Sequence, residues 1–148
     1  MKWIVRAAGK ADLAEWLRMR CLLWPEGSEQ EHQAEAEEWL GLEGAVALVA
    51  EREGGGLCGF AEVGTRSVAD GCETSPVAYL EGWWVDDDVR RMGIGKALVL
   101  AAERWARERG LSEMGSDSLI DNHVSQEAHT ALGFSEVDRV VLYTKKLD

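Results

Sequence analysis

Leu80-Glu81-Gly82-Trp83-Trp84-Val85-Asp86-Asp87-Asp88-Val89-Arg90-Arg91-Met92-Gly93-Ile94-Gly95-Lys96-Ala97-Leu98 is the stretch on which the fold turns. An apolar, aromatic-rich run of strand length ends in three aspartates. A basic turn with two glycines follows, and an amphipathic helix begins at Ile94. Glycine lets the backbone turn tightly and come close to a ligand. The first amides of a helix have no partner within it, and the helix dipole is positive at that end. A strand, a glycine turn and a helix start in this order therefore make a phosphate site.

Three phosphate patterns compete for the turn. A Walker loop needs Gly, four residues, then Gly-Lys-Ser/Thr. Here Gly95-Lys96 is followed by Ala97, and Arg90 holds the place of the first glycine. A dinucleotide fingerprint needs a third Gly or Ala, where this chain has Leu98, and no repeated βαβ units follow. The third pattern, Arg/Gln-x-x-Gly-x-Gly/Ala, is matched in full by Arg90-Arg91-Met92-Gly93-Ile94-Gly95. The plain alternative is a helix start with an incidental glycine pair.

Outward from the turn, Ile94, Ala97, Leu98, Ala101, Ala102 and Trp105 fall on one stripe of a helix over Ile94–Arg109, which Gly110 ends. A short strand is predicted over Glu113–Ser116, a helix over His123–Leu132, and a final strand over Val137–Lys145. Upstream, Trp3–Arg6 reads as a strand. Leu13, Trp16, Leu17, Cys21 and Trp24 mark one face of a helix stopped by Pro25 and Gly27. Glu29–Leu42 reads as an acidic, solvent-facing helix. Val46–Ala50 and Leu57–Val63 flank the turn Glu53-Gly54-Gly55-Gly56 as a hairpin. Gly64–Pro76 is polar and broken and reads as a loop, and Ala78–Val85 is the next strand. This order is that of a three-layer α/β domain, single over residues 1–148.

The 148 residues are one domain's worth. Hydrophobic residues at 46% and charged residues at 29% are ordinary globular values. The formal net charge of −11 repels phosphate backbones and anionic lipid heads and attracts cations. Nucleic acid and membrane partners are therefore not expected, and no apolar run reaches the length of a membrane span. The amino-terminal residues lack a signal-peptide core. Cys21, Cys58 and Cys72 form no CxxC pair, and His32, His123 and His129 form no ligand pattern, so no metal is expected. Three free thiols fit a reducing cytoplasm.

The Arg90–Gly95 turn resembles the acyl-CoA pyrophosphate loop of the GNAT superfamily of N-acetyltransferases. Asn122 opening a helix and Leu132-Gly133-Phe134 closing it are similar to a second GNAT feature. The resemblance implies a central, mixed, mostly antiparallel sheet with helices on both faces. Two of its strands would splay to form the acetyl-CoA cleft. It implies pyrophosphate contacts from the amides of Arg91, Met92, Gly93, Ile94, Gly95 and Lys96, with Arg90 and Asn122 alongside. The pantetheine arm would meet the backbone of Trp83, Trp84 and Val85. Many GNAT enzymes carry a tyrosine four residues before the Gly of Leu-Gly-Phe, as general acid for the CoA thiolate. Here that residue is His129, and Tyr143 is a second candidate. Each has a plain structural alternative, His129 as a hydrogen-bonded structural histidine and Tyr143 as a core aromatic.

More particular stretches resemble one branch, the short aminoglycoside 6′-N-acetyltransferases. They are Leu22-Leu23-Trp24-Pro25, Gly71-Cys72-Glu73-Thr74-Ser75-Pro76-Val77, Leu80-Glu81-Gly82, Met114-Gly115-Ser116-Asp117, Val124-Ser125-Gln126, and Ala131-Leu132-Gly133-Phe134 leading to Asp138-Arg139-Val140. The branch implies Trp24 as a wall for the drug and Glu81 and Asp117 as its acidic partners. It also implies a glutamate before Arg139-Val140. Asp138 stands there, a methylene shorter, with Glu136 nearby. An aromatic contact of the branch has no counterpart among Arg66, Ser67, Val68 and Ala69. The branch further implies a homodimer through the carboxy-terminal region.

The chemistry agrees with that reading. An ammonium must lose a proton before its nitrogen attacks a thioester, so carboxylates nearby are useful. Glu81 is a charge within an apolar run, where unpaired burial is costly. The polycationic drugs suit the charge of −11. Two other readings stay open within the family, acetylation of a polyamine or similar small cationic amine and acetylation of protein lysine. A reading of another class is a non-catalytic acyl-CoA sensor.

Overall fold

The computed structural model describes residues 2–148. They fold as two compact units, one ending at Asp117 and one running from Ser118 to Asp148. The first holds β1 (Trp3–Ala7), α1 (Leu13–Leu23), α2 (Glu29–Gly41), β2 (Val46–Arg52), β3 (Leu57–Arg66), β4 (Val77–Val85), α3 (Ile94–Glu108) and β5 (Met114–Ser116). The five strands form one mixed sheet in the order β1-β2-β3-β4-β5. The first four are antiparallel and β5 runs parallel to β4.

Alternation along β3 divides the helices between the two faces. Phe60 points into a core of Trp16 and Met19 from α1, Ala36 from α2, and Ala47 and Val49 from β2. Gly59 faces the other way, where a Cβ would meet Leu98 and Ile94 of α3. Ile94, Leu98, Val99, Ala102 and Ala106 are the buried residues of α3; of the stripe expected from spacing, Ile94, Leu98 and Ala102 are buried and Ala97, Ala101 and Trp105 half-buried. Ser28 caps α2 by accepting a hydrogen bond from the Glu31 amide.

β3 runs to Arg66, three residues beyond the Val63 expected from sequence. Pairing extends it, since Gly64, Thr65 and Arg66 lie opposite Tyr79, Ala78 and Val77. Tertiary pairing overrides the low strand propensity of glycine.

The second unit contains α4 (His123–Ala131), capped by Asn122 Oδ1, which accepts from the Ser125 amide at 3.1 Å. The strand expected over Val137–Lys145 does not form. Residues 135–148 carry no regular structure and are exposed, with Val141, Leu142 and Tyr143 at 74%, 86% and 88%. Apolar residues make a strand only where a neighbouring strand accepts their ladder, and no partner pairs with this segment among the described residues. Tyr143 is accordingly not a core aromatic.

Candidate functional site

The turn after β4 has the backbone its sequence calls for. Gly93 is the N-cap of α3, in the left-handed region at φ +90°, and Arg91 also has a positive φ, +65°. A Cβ at Gly93 would meet nothing within 4 Å, so glycine serves its dihedral there and not its space. Gly95 is the opposite case. A Cβ would stand 3.2 Å from the Trp83 ring, whose Nε1 donates to the Gly95 carbonyl at 3.2 Å. Arg91, Met92, Gly93 and Lys96 are exposed around the first turn of a fifteen-residue helix. The first amides of α3 have no partner within the helix, and a diphosphate fits such a helix start. Arg90 lies over the Trp84 ring at 4.9 Å and donates to the Val85 carbonyl at 2.9 Å.

Asp86 anchors this turn, a role the sequence left unmarked within its run of three aspartates. Its carboxylate accepts from Arg18 at 2.9 and 3.2 Å, from Arg52 at 3.3 Å and from Trp84 Nε1 at 3.0 Å, and its amide donates to the Cys58 carbonyl at 2.8 Å. Burial alone would raise the pKa of Asp86. The hydrogen bonds from Arg18, Trp84 and Arg52 outweigh it and hold the carboxyl below the usual aspartate range.

β5 pairs with β4 only from Ala78 to Leu80, and pairing between these two strands stops there. On its other side β4 stays paired with β3 as far as Val85, with one interruption. Glu62 lies opposite Gly82 while Val63 lies opposite Leu80, so Glu81 is the extra residue of a β-bulge. Strict alternation would put Tyr79, Glu81 and Trp83 on one face. The bulge breaks that series after Glu81, which stays with Tyr79 and Arg66 while Trp83 turns to α3. Arg66 donates to both Glu81 oxygens, at 2.8 and 2.9 Å, and lies 3.5 Å over the Tyr79 ring. The Tyr79 hydroxyl donates to Asp117 at 2.7 Å. Burial first, and then the bond to Asp117, push the Tyr79 phenol above its ordinary range. Glu81 and Asp117 are thus brought together around Tyr79, and neither Tyr79 nor Arg66 was singled out from sequence.

Trp24 stands on the same face. A Cβ at Gly82 would lie 2.5 Å from its ring. Arg20 lies 4.8 Å over the Trp24 ring, His32 stacks with it at 6.2 Å, and His32 Nε2 donates to the Trp24 carbonyl at 2.8 Å. Arg20 is itself held by ion pairs to buried Glu62 and to Glu35. Trp16 Nε1 also donates to Glu62 at 3.0 Å. Burial raises the pKa of Glu62, and Arg20 and Trp16 oppose that. Helical spacing alone puts Trp16 and Trp24 on one face. The charge pair beside them carried no local signal. Glu113 was also missed. It accepts from the amides of Glu73 and Thr74 and so fixes the loop entering β4.

In the second unit, His129 Nδ1 donates to the Ser125 carbonyl at 2.7 Å, and its ring meets Phe134 edge-on at 5.1 Å. Glu136 forms an ion pair with Arg139, which holds the Glu136 carboxyl below its usual range. Asp138 accepts from the Arg139 amide at 2.8 Å. Among the described residues, no group of three His, Cys, Asp or Glu side chains is placed to hold a metal ion. No helix among them is long and apolar enough to cross a membrane.

A family model described as the acetyltransferase (GNAT) family matches residues 13–134. The chain is 46% identical over 147 residues to the aminoglycoside N(6′)-acetyltransferase type 1 of Klebsiella aerogenes, across 97% of each chain. It is 43% identical over 137 residues to that of Serratia marcescens, across 92% of this chain and 94% of the relative. Among solved structures it is similar to AAC(6′)-Iy in complex with the bisubstrate analogue CoA-S-monomethyl-acetylneamine. The TM-score is 0.93 at 36% identity, over 99% of this chain and 100% of that one.

Proposed function

The chain belongs to the acetyltransferase (GNAT) family, and on that premise we propose that it moves the acetyl group of acetyl-CoA to the 6′-amine of aminoglycosides. One observation carries the acceptor side of this reading. Two carboxylates, Glu81 and Asp117, flank Tyr79 on the sheet face that also bears Trp24. The similarity to relatives named for this activity along nearly their whole length supports it.

Bound acetyl-CoA supplies an acetyl group activated as a thioester. The amides of Arg91 to Lys96 hold its pyrophosphate, with Arg90 beside them, and the backbone of Trp83, Trp84 and Val85 lines its pantetheine arm. Trp24 forms the apolar wall for a sugar ring. Glu81 and Asp117 hold the ammonium and accept its proton, which frees the nitrogen lone pair for the thioester carbonyl. The N–C bond forms, the C–S bond breaks, and the leaving sulfur takes a proton. Transfer is direct, since no cysteine lies at a position the motif would make nucleophilic.

The family model spans the boundary at Asp117, which supports reading residues 1–148 as one GNAT domain. Free Cys21, Cys58 and Cys72 support a cytoplasmic setting. Exposed Val140, Val141 and Leu142 support a homodimer joined through the carboxy-terminal segment. Thiol release from acetyl-CoA tests the function, with kanamycin, spermidine and a lysine peptide as parallel acceptors. Turnover with kanamycin alone is expected. Turnover only with spermidine or the peptide would keep the family and overturn the acceptor. Binding of CoA without turnover on any acceptor would favour the sensor reading.

A further inference from the structure

Arg66 already occupies the carboxylate assigned to the substrate's ammonium. Both Glu81 oxygens accept from its guanidinium, at 2.8 and 2.9 Å. The guanidinium carbon also lies 3.5 Å from the centre of the Tyr79 ring, and Tyr79 in turn bonds Asp117. Arg66, Glu81 and Asp117 therefore carry one net negative charge where the two acids alone would carry two. A bidentate guanidinium resting on an aromatic face is a good competitor for a carboxylate, because its fork matches the two oxygens and little side-chain freedom is lost.

We propose that Arg66 is an internal competitor for Glu81 that sets the affinity of the acceptor site for cationic amines. This inference rests on the acceptor reading given above. The bridge is half-exposed, with side-chain accessibilities of 44% for Arg66 and 28% for Glu81. Exposed pairs of this kind are weak and screened by salt, so an arriving polycation displaces the guanidinium at small cost. The displaced Arg66 swings to solvent from the end of β3. The cost of that displacement is the same for every amine, so an amine that brings a second ammonium offsets it more fully than one that brings a single charge.

Kanamycin binding by calorimetry and kanamycin acetylation are measured on the wild type and on Arg66→Ala and Arg66→Lys. Arg66→Ala is expected to lower both the Kd and the KM for kanamycin about fivefold. It is also expected to steepen their dependence on salt, since the site regains a full negative charge. Arg66→Lys keeps the charge and should keep the wild-type salt slope. If Arg66 were only a strut at the end of β3, Arg66→Ala would raise KM or lower Tm with no change in salt slope, and that result overturns the proposal. An unchanged Kd does so too. Binding without acetylation in the wild type would refute the proposed function while the Kd values still test Arg66. Absence of kanamycin binding would overturn both.

Discussion

Gly82 lies directly beneath the indole of Trp24, so close that a methyl group there would stand 2.5 Å from the ring. The glycine of Leu80-Glu81-Gly82 is thus the floor on which the expected drug wall rests. Trp24 is pinned from its other sides by Arg20, His32 and Phe60, so it has little room to yield. Gly82→Ala is expected to displace the ring, cost about 1–3 kcal/mol of stability, and raise the KM for kanamycin several-fold while sparing that for acetyl-CoA. Steady-state kinetics in both substrates checks this, and equal effects on both would show a general loss of fold.

Gly95 separates the two binding functions in the other direction. Its Cα faces the Trp83 ring at the start of α3. Gly95→Val should weaken CoA binding at least tenfold by calorimetry, since a branched side chain crowds both Trp83 and the amides that meet the pyrophosphate. Kanamycin affinity should stay within twofold. Unchanged CoA affinity would remove the turn from the cofactor site.

Glu81→Gln removes the charge and keeps the shape. Turnover is expected to fall by about two orders of magnitude, the usual worth of a positioned proton acceptor, and its rise with pH should flatten. A pH–rate profile on kanamycin decides. A wild-type profile would strike Glu81 from the mechanism.

Asp86 predicts a pH-dependent part of the stability. Its folded pKa lies below the unfolded value. The unfolded chain therefore binds the proton more readily, and the stabilisation is fully present above about pH 4 and lost as pH falls through the folded value. Asp86→Asn should destabilise the protein by about 2–3 kcal/mol at pH 7, because Arg18 and Arg52 lose their shared anion. The gap from the wild type should narrow below about pH 4. Urea unfolding at pH 7 and pH 3.5 measures both, and a gap independent of pH would refute the assignment.

Much of this fold is legible in local pattern. The stripe from Ile94 through Leu98 to Ala102, the Gly93 and Gly95 turn and the Asn122 cap are readable because helix period and cap chemistry act over a few residues. The hidden part depends on partners distant in the chain. The bulge at Glu81 exists only through the register of β4 against β3, so alternation along β4 alone leaves Trp83 on the face of Glu81, from which the bulge turns it away. By sequence Arg66 reads as part of a loop, and its bridge to Glu81 exists only with the paired strand. Arg20 and Glu62 are 42 residues apart, and a buried ion pair leaves no periodic trace. The Val137–Lys145 segment shows the converse, with strand-like residues that no ladder receives.

The proposed transfer is regiospecific, and the structure of the product reports on it. Kanamycin A is incubated with acetyl-CoA and the protein, and the isolated product is assigned by two-dimensional NMR. The account predicts a single acetyl group on the 6′-nitrogen, seen as a downfield shift of the neighbouring methylene protons alone. An acetyl group on any ring amine, or no acetylated product under conditions where CoA binds, would contradict it.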